Sequence, residues 1–335
     1  MMDDFSSAQK IKEISSAYWQ SQALFVALRF NLFEILGKKE KDAATLAHEV
    51  GVDPDALERL LDSLTALELI EKTENVYLIP SGMRPFLTGE KGRNMSASIA
   101  HMEHLTANWS RLEESIRTGK PVSYEEKIPD ADLHLRTEKF MAAMEGYAAV
   151  VADELVRLFP LQGDERILDL GCGPGTYFRK YLKSYAEVQA EAADIDDVIP
   201  IIEGHLKAED LEARVVLHPG DFRKITFPNN RFDVVLLSNV MHIYPEEEVR
   251  SIFRQVRKTL RPGGVFLVND FFTDGNGTRP LWGALFSLNM LVNTVAGRNY
   301  SLQEGRALLD ESGFVRLRSL PLPLDSTLLV GEKSS

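Results

Sequence analysis

Three glycines alternate in Ile167-Leu168-Asp169-Leu170-Gly171-Cys172-Gly173-Pro174-Gly175, directly after an apolar run and before a segment able to start a helix. Glycine lets a backbone turn sharply and approach a ligand closely. A helix beginning near Gly175 adds unpaired N–H groups and a partial positive charge. Together these features imply a pocket for an adenosine-containing cofactor. The spacing is Gly-x-Gly-x-Gly, and the third glycine of the dinucleotide fingerprint would fall on Thr176. This turns the reading away from a nicotinamide dinucleotide. On its own the loop leaves an ordinary tight turn open. Cys172, the only cysteine, sits in the loop as a small spacer and has no partner for an internal disulfide, which fits a reducing compartment.

A loop of this kind needs a sheet beneath it. Strands are expected at 166–170, 188–194, 214–218, 232–238 and 264–270, with helical stretches between most of them. That alternation predicts an α/β, Rossmann-like parallel sheet with crossovers on both faces. Ligands then bind at the carboxyl ends of the strands. The rule selects the glycines, then Asp194, then Gly220-Asp221-Phe222, then Ser238-Asn239, and then Asn269-Asp270. A carboxylate at Asp194 can accept hydrogen bonds from both hydroxyls of a ribose. Asp196 and Asp197 are rivals for that role, and capping of the next helix is the plain alternative. Asp221 can accept from an adenine amino group while Phe222 packs on the ring, or it can simply form a turn.

The chain has 335 residues, 44% of them hydrophobic and 26% charged, enough for two domains with proper cores. A formal charge of -12 without a basic cluster argues against nucleic acid as a partner. The longest apolar segment, Leu281 to Ala296, is short of a membrane span and carries Asn289 and Asn293. With no basic, apolar leader at the N-terminus, a cytoplasmic location is expected. Residues 1–95 read as a mostly helical, winged-helix-like domain, 96–158 as a helical connector broken by Gly119-Lys120-Pro121, and 159–335 as the glycine-loop domain. Within the first, Thr45 to Gly51 and the Asp53-Pro54 helix start give a helix-turn-helix pattern. Glu68 to Glu71 and Val76 to Ile79 resemble the strands of a wing. Asp53, Asp55, Glu58 and Asp62 make the second helix acidic, which opposes DNA binding. Phe25 to Leu36 holds more large apolar residues than one helix face needs, so a homodimer through this domain is expected. His101 and His104 lack further ligands nearby, and no metal is expected. Glu332 to Ser335 reads as a frayed tail.

Taken together, the motifs resemble those of class I S-adenosylmethionine-dependent methyltransferases, and most closely the small-molecule O-methyltransferases with an N-terminal winged-helix dimerisation domain. Asp169 to Gly175 is similar to the first motif of that family, Asp194-Ile195-Asp196 to its acidic ribose-binding motif, and Gly220-Asp221-Phe222 to its adenine-binding turn. Leu260-Arg261-Pro262-Gly263-Gly264-Val265 is similar to its turn into the fifth strand. The resemblance implies S-adenosyl-L-methionine as cofactor, held by Asp169, Gly171, Gly173, Gly175, Asp194, Ile195, Asp221, Phe222, Ser238 and Asn239. It also places the catalytic histidine on His242. A neutral imidazole can take the proton that a hydroxyl must lose to attack the methylsulfonium, and Asp270 can orient that ring. Many members carry His-Asp-Trp where this chain has His242-Ile243-Tyr244. The expected acceptor is the hydroxyl of a small aromatic or other weakly polar metabolite. Its pocket would be lined by Phe140, Met144, Tyr147, Trp282, Phe286, Asn289, Met290 and Asn293, with Trp109 a further candidate. Carbon methylation of a pigment or tetrapyrrole, a nicotinamide-dependent oxidoreductase and a ligand-sensing transcription factor stay open as alternatives.

Overall fold

The computed structural model describes residues 4–122 and 130–334. The chain divides into two compact units, Met1–His104 and Leu105–Ser335. The first contains helices α1 (Asp4–Arg29), α2 (Leu32–Lys38), α3 (Ala43–Val50), α4 (Pro54–Ala66) and α5 (Arg84–Leu87), with strands β1 (Lys41–Asp42), β2 (Glu71–Thr73) and β3 (Val76–Leu78). Asp42 and Asp53 cap α3 and α4 by accepting the N–H of Thr45 and Ala56, the local chemistry that starts a helix. Strands β2 and β3 pair antiparallel, and β1 joins β3 on its other side, so the wing is three-stranded. Glu68 to Ile70 precede the first wing strand, which begins at Glu71.

The apolar segment Phe25 to Leu36 is not the surplus that the sequence suggested. Phe25, Ala27, Leu32, Phe33 and Leu36 are all buried, most of them in the unit's own core with Leu57, Leu61, Leu64 and Tyr77. The chain turns at Asn31, whose left-handed φ of 54° separates α1 from α2 and folds both apolar stretches inward. The exposed apolar surface lies earlier on α1, where Phe5, Ile11, Ile14, Tyr18 and Trp19 are all more than half exposed.

Helix α6 (Ser96–Trp109) contains the division between the units. The second unit continues with α7 (Leu112–Thr118) and α8 (Asp130–Leu158), and then alternates strand and helix. Its elements are β4 (Arg166–Leu170), α9 (Thr176–Ser184), β5 (Gln189–Asp194), α10 (Ile199–Ala208), β6 (Val215–Pro219), β7 (Phe232–Ser238), α11 (Glu246–Thr259) and β8 (Leu260–Asp270). After β8 come β9 (Phe272–Thr273), α12 (Leu281–Asn293), β10 (Tyr300–Ser301), α13 (Leu302–Glu311), β11 (Phe314–Pro321) and β12 (Thr327–Lys333). Seven strands form one sheet in the order β11-β12-β8-β7-β4-β5-β6. All are parallel except β12, which runs against both neighbours. The last two strands were not expected from sequence, and the second takes in Glu332 and Lys333 of the expected frayed tail: Lys333 Nζ donates to Asn230 and to the Leu260 carbonyl.

Both faces of the sheet are covered, which explains why β7 has no polar alternation. Val234 and Leu236 enter a core with α8, α9 and α10, and Val235 and Leu237 enter one with α11 and α13. From β4 the chain winds outward through β5 and β6, then returns to lay β7 on the other side of β4. The crevice at that reversal is where such sheets take ligands. It brings the end of β4 beside the end of β7.

Candidate functional site

Each glycine of the loop after β4 does a distinct job. Gly171, at φ +64°, donates its N–H to Ala193 O at 2.8 Å, and a Cβ there would stand 2.7 Å from Val240 Cγ2. Gly173 donates to Asp194 Oδ2 at 2.7 Å. Gly175, at φ +80°, leads into α9, and a Cβ would lie 2.7 Å from the Phe178 ring. Left-handed backbone and the close approach of neighbours both require the missing side chain. Behind the loop lies an ion cluster that the sequence reading missed. Arg179 is buried, donating to Pro174 O at 3.0 Å, to Glu145 of α8 at 3.3 Å and to Glu209 at 3.0 Å. Thr176 also donates to Glu145. The one sequence signal was a basic residue four positions after Gly175.

Asp194 ends β5 with both oxygens engaged, Oδ2 by Gly173 and Oδ1 by the Ile195 N–H at 2.7 Å. Burial raises its pKa, and these two N–H groups oppose the shift. Ile195 itself is exposed. Asp169 is wholly buried and neither of its oxygens has a hydrogen-bond partner. Burial, with the Asp194 charge nearby, pushes its pKa up to about 8. Ser238 Oγ and Asn239 Oδ1, at the end of β7, are likewise buried without partners. At the third strand end, Arg223 grips the Asp221 carboxylate with two N–H groups at 2.9 and 2.8 Å and holds its pKa below the usual range. The Arg223 guanidinium lies 4.6 Å from the Tyr244 ring centre, and Phe222, buried, meets the same ring edge-on. Orphaned buried acceptors around a glycine cradle suit a ligand that carries ammonium, hydroxyl and amino donors, such as S-adenosylmethionine.

His242 lies in the short 3-10 turn Met241–Ile243 that follows β7. Its Nδ1 is 2.7 Å from Asp270 Oδ1, and its backbone N–H donates to Asp270 Oδ2 at 3.2 Å. Both side chains are almost fully buried. A carboxylate only accepts, so Nδ1 carries the proton of this bond, and in a neutral imidazole Nε2 is then the nitrogen with the lone pair. Phe286 of α12 meets the imidazole edge-on at 4.9 Å between centroids, and Phe271 stacks on it at 6.5 Å. Trp282 joins through Phe271 at 6.0 Å.

The other substrate candidates fall into two groups. On α12, Asn289 Oδ1 accepts from Trp109 Nε1 at 2.9 Å and from Asn293 Nδ2 at 2.9 Å, while Asn293 Oδ1 accepts from Asn108 at 2.7 Å. These amides are therefore fixed, and Asn289 presents its NH2 as donor. Met290 is buried against the loop that follows α12. Phe140, Met144 and Tyr147 lie on α8, with Phe140 exposed and the Tyr147 phenol pushed up to about 12 by burial. Their neighbour Met141, which the sequence reading passed over, comes nearest the glycine loop: its Sδ would be 3.7 Å from a Cβ at Gly173. Among the described residues, no group of three or more His, Cys, Asp or Glu side chains is arranged to hold a metal ion, and no helix is long and apolar enough to cross a membrane.

The state of Asp169 has a consequence for stability. The folded chain keeps this proton to about pH 8, whereas an unfolded Asp loses it near 3.8. Unfolding between those values releases a proton, so stability falls as pH rises through the window, by up to about 1.4 kcal/mol per unit. Asp169→Asn has the same shape and no such loss. Thermal melts of the ligand-free protein should show the variant gaining on the parent steadily from pH 5 to pH 8. A difference in Tm that is constant with pH would contradict the buried neutral carboxyl.

Residues 109–315 match the O-methyltransferase domain family, and residues 12–80 match the O-methyltransferase dimerisation domain. Over 92% of its length the chain is 27% identical to 3-hydroxy-5-methyl-1-naphthoate 3-O-methyltransferase of Streptomyces sahachiroi, covering 90% of that protein. It is 29% identical to 3-amino-4-hydroxybenzoate 4-O-methyltransferase of Streptomyces cremeus, with 97% and 90% of the two chains covered. Human N-acetylserotonin methyltransferase, solved in complex with S-adenosylmethionine, shares the fold with a TM-score of 0.86 at 22% identity over 100% of this chain and 99% of that one. The helix-turn-helix pattern is thus accounted for by a dimerisation module. The chain belongs to the O-methyltransferase family, enzymes that draw their methyl group from S-adenosylmethionine.

Proposed function

We propose that this enzyme methylates a hydroxyl of a small, flat aromatic metabolite, with His242 as general base and Asp270 as the group that orients it. The observation that carries the reading is the buried 2.7 Å contact between His242 Nδ1 and Asp270 Oδ1, set among Phe271 and Phe286. It leaves Nε2 as the proton acceptor at a strand end, in surroundings that favour a ring over a sugar or a polyanion. The named acceptors of the two Streptomyces relatives, a hydroxynaphthoate and an aminohydroxybenzoate, are aromatic hydroxyl compounds and support this class.

When bound, S-adenosylmethionine supplies an electrophilic methyl group on a sulfonium. Asp169, Gly171, Gly173 and Gly175 would hold it at the loop, Asp194 and Ile195 would meet its ribose, Asp221 and Phe222 its adenine, and Ser238 and Asn239 would complete the cradle. On the acceptor side, Trp282, Phe286 and Met290 pack the ring, Asn289 and Asn293 fix a polar substituent, and Phe140, Met144 and Tyr147 close the α8 side. His242 Nε2 takes the hydroxyl proton as the oxygen attacks, and Asp270 balances the resulting imidazolium. Positioning and exclusion of water supply the rest of the acceleration.

The functional form is a homodimer built through the first unit, in keeping with its match to a dimerisation domain. The exposed stripe Ile11, Ile14 and Tyr18, spaced one side of α1, with Trp19 beside it, supplies the apolar face. Neither nucleic acid nor a membrane is a partner. The lone cysteine suits the reducing cytoplasm.

His242→Ala should lower the methylation rate at neutral pH by roughly 100-fold or more and leave the affinity for S-adenosylhomocysteine nearly unchanged. Full activity would remove the base assignment. Asp194→Ala should instead weaken cofactor binding, measured by calorimetry, and unchanged affinity would mean that the ribose contact is misplaced. Light scattering should find a dimer, converted by Ile14→Glu/Trp19→Glu to monomer. A dimer that survives this double substitution would put the interface elsewhere.

A further inference from the structure

The turn that carries His242 is held at its carbonyls by the segment that follows α12. Arg298 donates its backbone N–H to His242 O at 2.9 Å. Tyr300 donates its hydroxyl to Tyr244 O at 2.7 Å, and Arg298 Nη2 reaches Glu246 at 3.4 Å. Residues 242, 244 and 246 are therefore tied in succession. The Arg298 guanidinium lies 4.1 Å from the Tyr300 ring centre and also donates to Glu304 at 3.0 Å, which braces the two tethering residues against each other. Gly297 makes the approach possible, because a Cβ there would lie 2.9 Å from the His242 carbonyl and would collide with Thr294 Oγ1.

A single 3-10 turn leaves its last carbonyls without intrahelical partners. Those of His242 and Tyr244 would otherwise depend on water for satisfaction and could shift with it. The tethers remove that freedom. Tyr300 is 1% exposed, so its hydroxyl bond is protected from competing water. The segment is also continuous with α12, whose Phe286 meets the imidazole edge-on.

We propose that Tyr300, with Gly297 and Arg298, is a positioning element for His242: it fixes the backbone of the base's turn while Asp270 fixes its ring. The inference rests on the reading of His242 as general base. It adds a second anchor, on the carbonyl of the residue, that acts through the main chain.

A double-mutant cycle tests it in the full-length enzyme. Tyr300→Phe keeps the ring and deletes only the O–H···O bond, and should lower kcat by roughly 3- to 10-fold, the size of one net hydrogen bond, with the affinity for S-adenosylhomocysteine unchanged. In a His242→Ala background the same substitution should have no further effect on the residual rate, because its target is gone. Gly297→Ala, which presses on the His242 carbonyl directly, should lower kcat by about 10-fold or more and lose that effect in the same background. Equal losses with and without His242 would show a general structural role and overturn the proposal, as would a Tyr300→Phe enzyme with full kcat. Should His242→Ala itself prove fully active, the base assignment fails first, and that result is read independently of Tyr300.

Discussion

The hydrogen bond between His242 and Asp270 is the constraint around which the second unit is arranged. Asp270 is the last residue of β8, and His242 follows the end of β7 by four residues. The two strands are parallel neighbours, with Ser238 opposite Asn269. A parallel pair places consecutive strand ends at one edge of the sheet, so an acid and an imidazole distant in sequence meet without a dedicated scaffold. Asp270 also accepts the His242 main-chain N–H, which sets where the turn begins as well as how the ring lies. Burial of both groups strengthens the bond and keeps the imidazole from choosing other partners. What α12 contributes, the edge-on contact of Phe286 with the ring, has value only because the ring is already fixed.

The cofactor side follows a different logic. There the chain has concentrated acidic groups under a loop built on three glycines. Asp194 spends its two oxygens on the backbone N–H groups of Gly173 and Ile195 and in this way shapes the loop. Asp169 beneath it has no such outlet and holds its proton into the neutral range. Burial, with the Asp194 charge as the lesser cause, keeps that carboxyl neutral and leaves the charge of the pair on Asp194. The Arg179 cluster stabilises the loop from behind, linking α8, α9 and Glu209 to the Pro174 carbonyl. The loop is thus shaped from both sides, by a carboxylate in front and a guanidinium at the back.

How much of this could be read in the sequence depended on whether the signal was local. The glycine loop, β4 and β7 stand out because a central parallel strand is a continuous apolar run and its exit turn needs glycine. Strand β11 escaped notice because half of it is exposed and its Val315-Arg316-Leu317-Arg318 stretch is interrupted by a bulge. β12 runs from Thr327 to Lys333, and its polar close, Glu332-Lys333, falls in the stretch read as a frayed tail. The apolar count in Phe25 to Leu36 was correct, but the turn at Asn31 that folds it inward carries no strong signature. Residue roles that depend on long-range geometry were the least legible. Little near Arg179, Tyr300 or Gly297 marks them, since their partners lie 26 to 56 positions away in Glu145, His205, Tyr244 and His242 or are main-chain carbonyls. His242 itself was found through resemblance, and Asp270 through the rule for strand ends.

The most direct test of the central claim is the protonation of the two ring nitrogens of His242 at neutral pH. Nitrogen NMR of histidine-labelled protein can read it, with His242→Asn used to assign one signal among the seven histidines. The account predicts the neutral tautomer with the proton on Nδ1, shared with Asp270, and a bare Nε2 ready to accept the proton of an acceptor hydroxyl. A proton resident on Nε2 at that pH, with Nδ1 bare or with both nitrogens protonated, would contradict it.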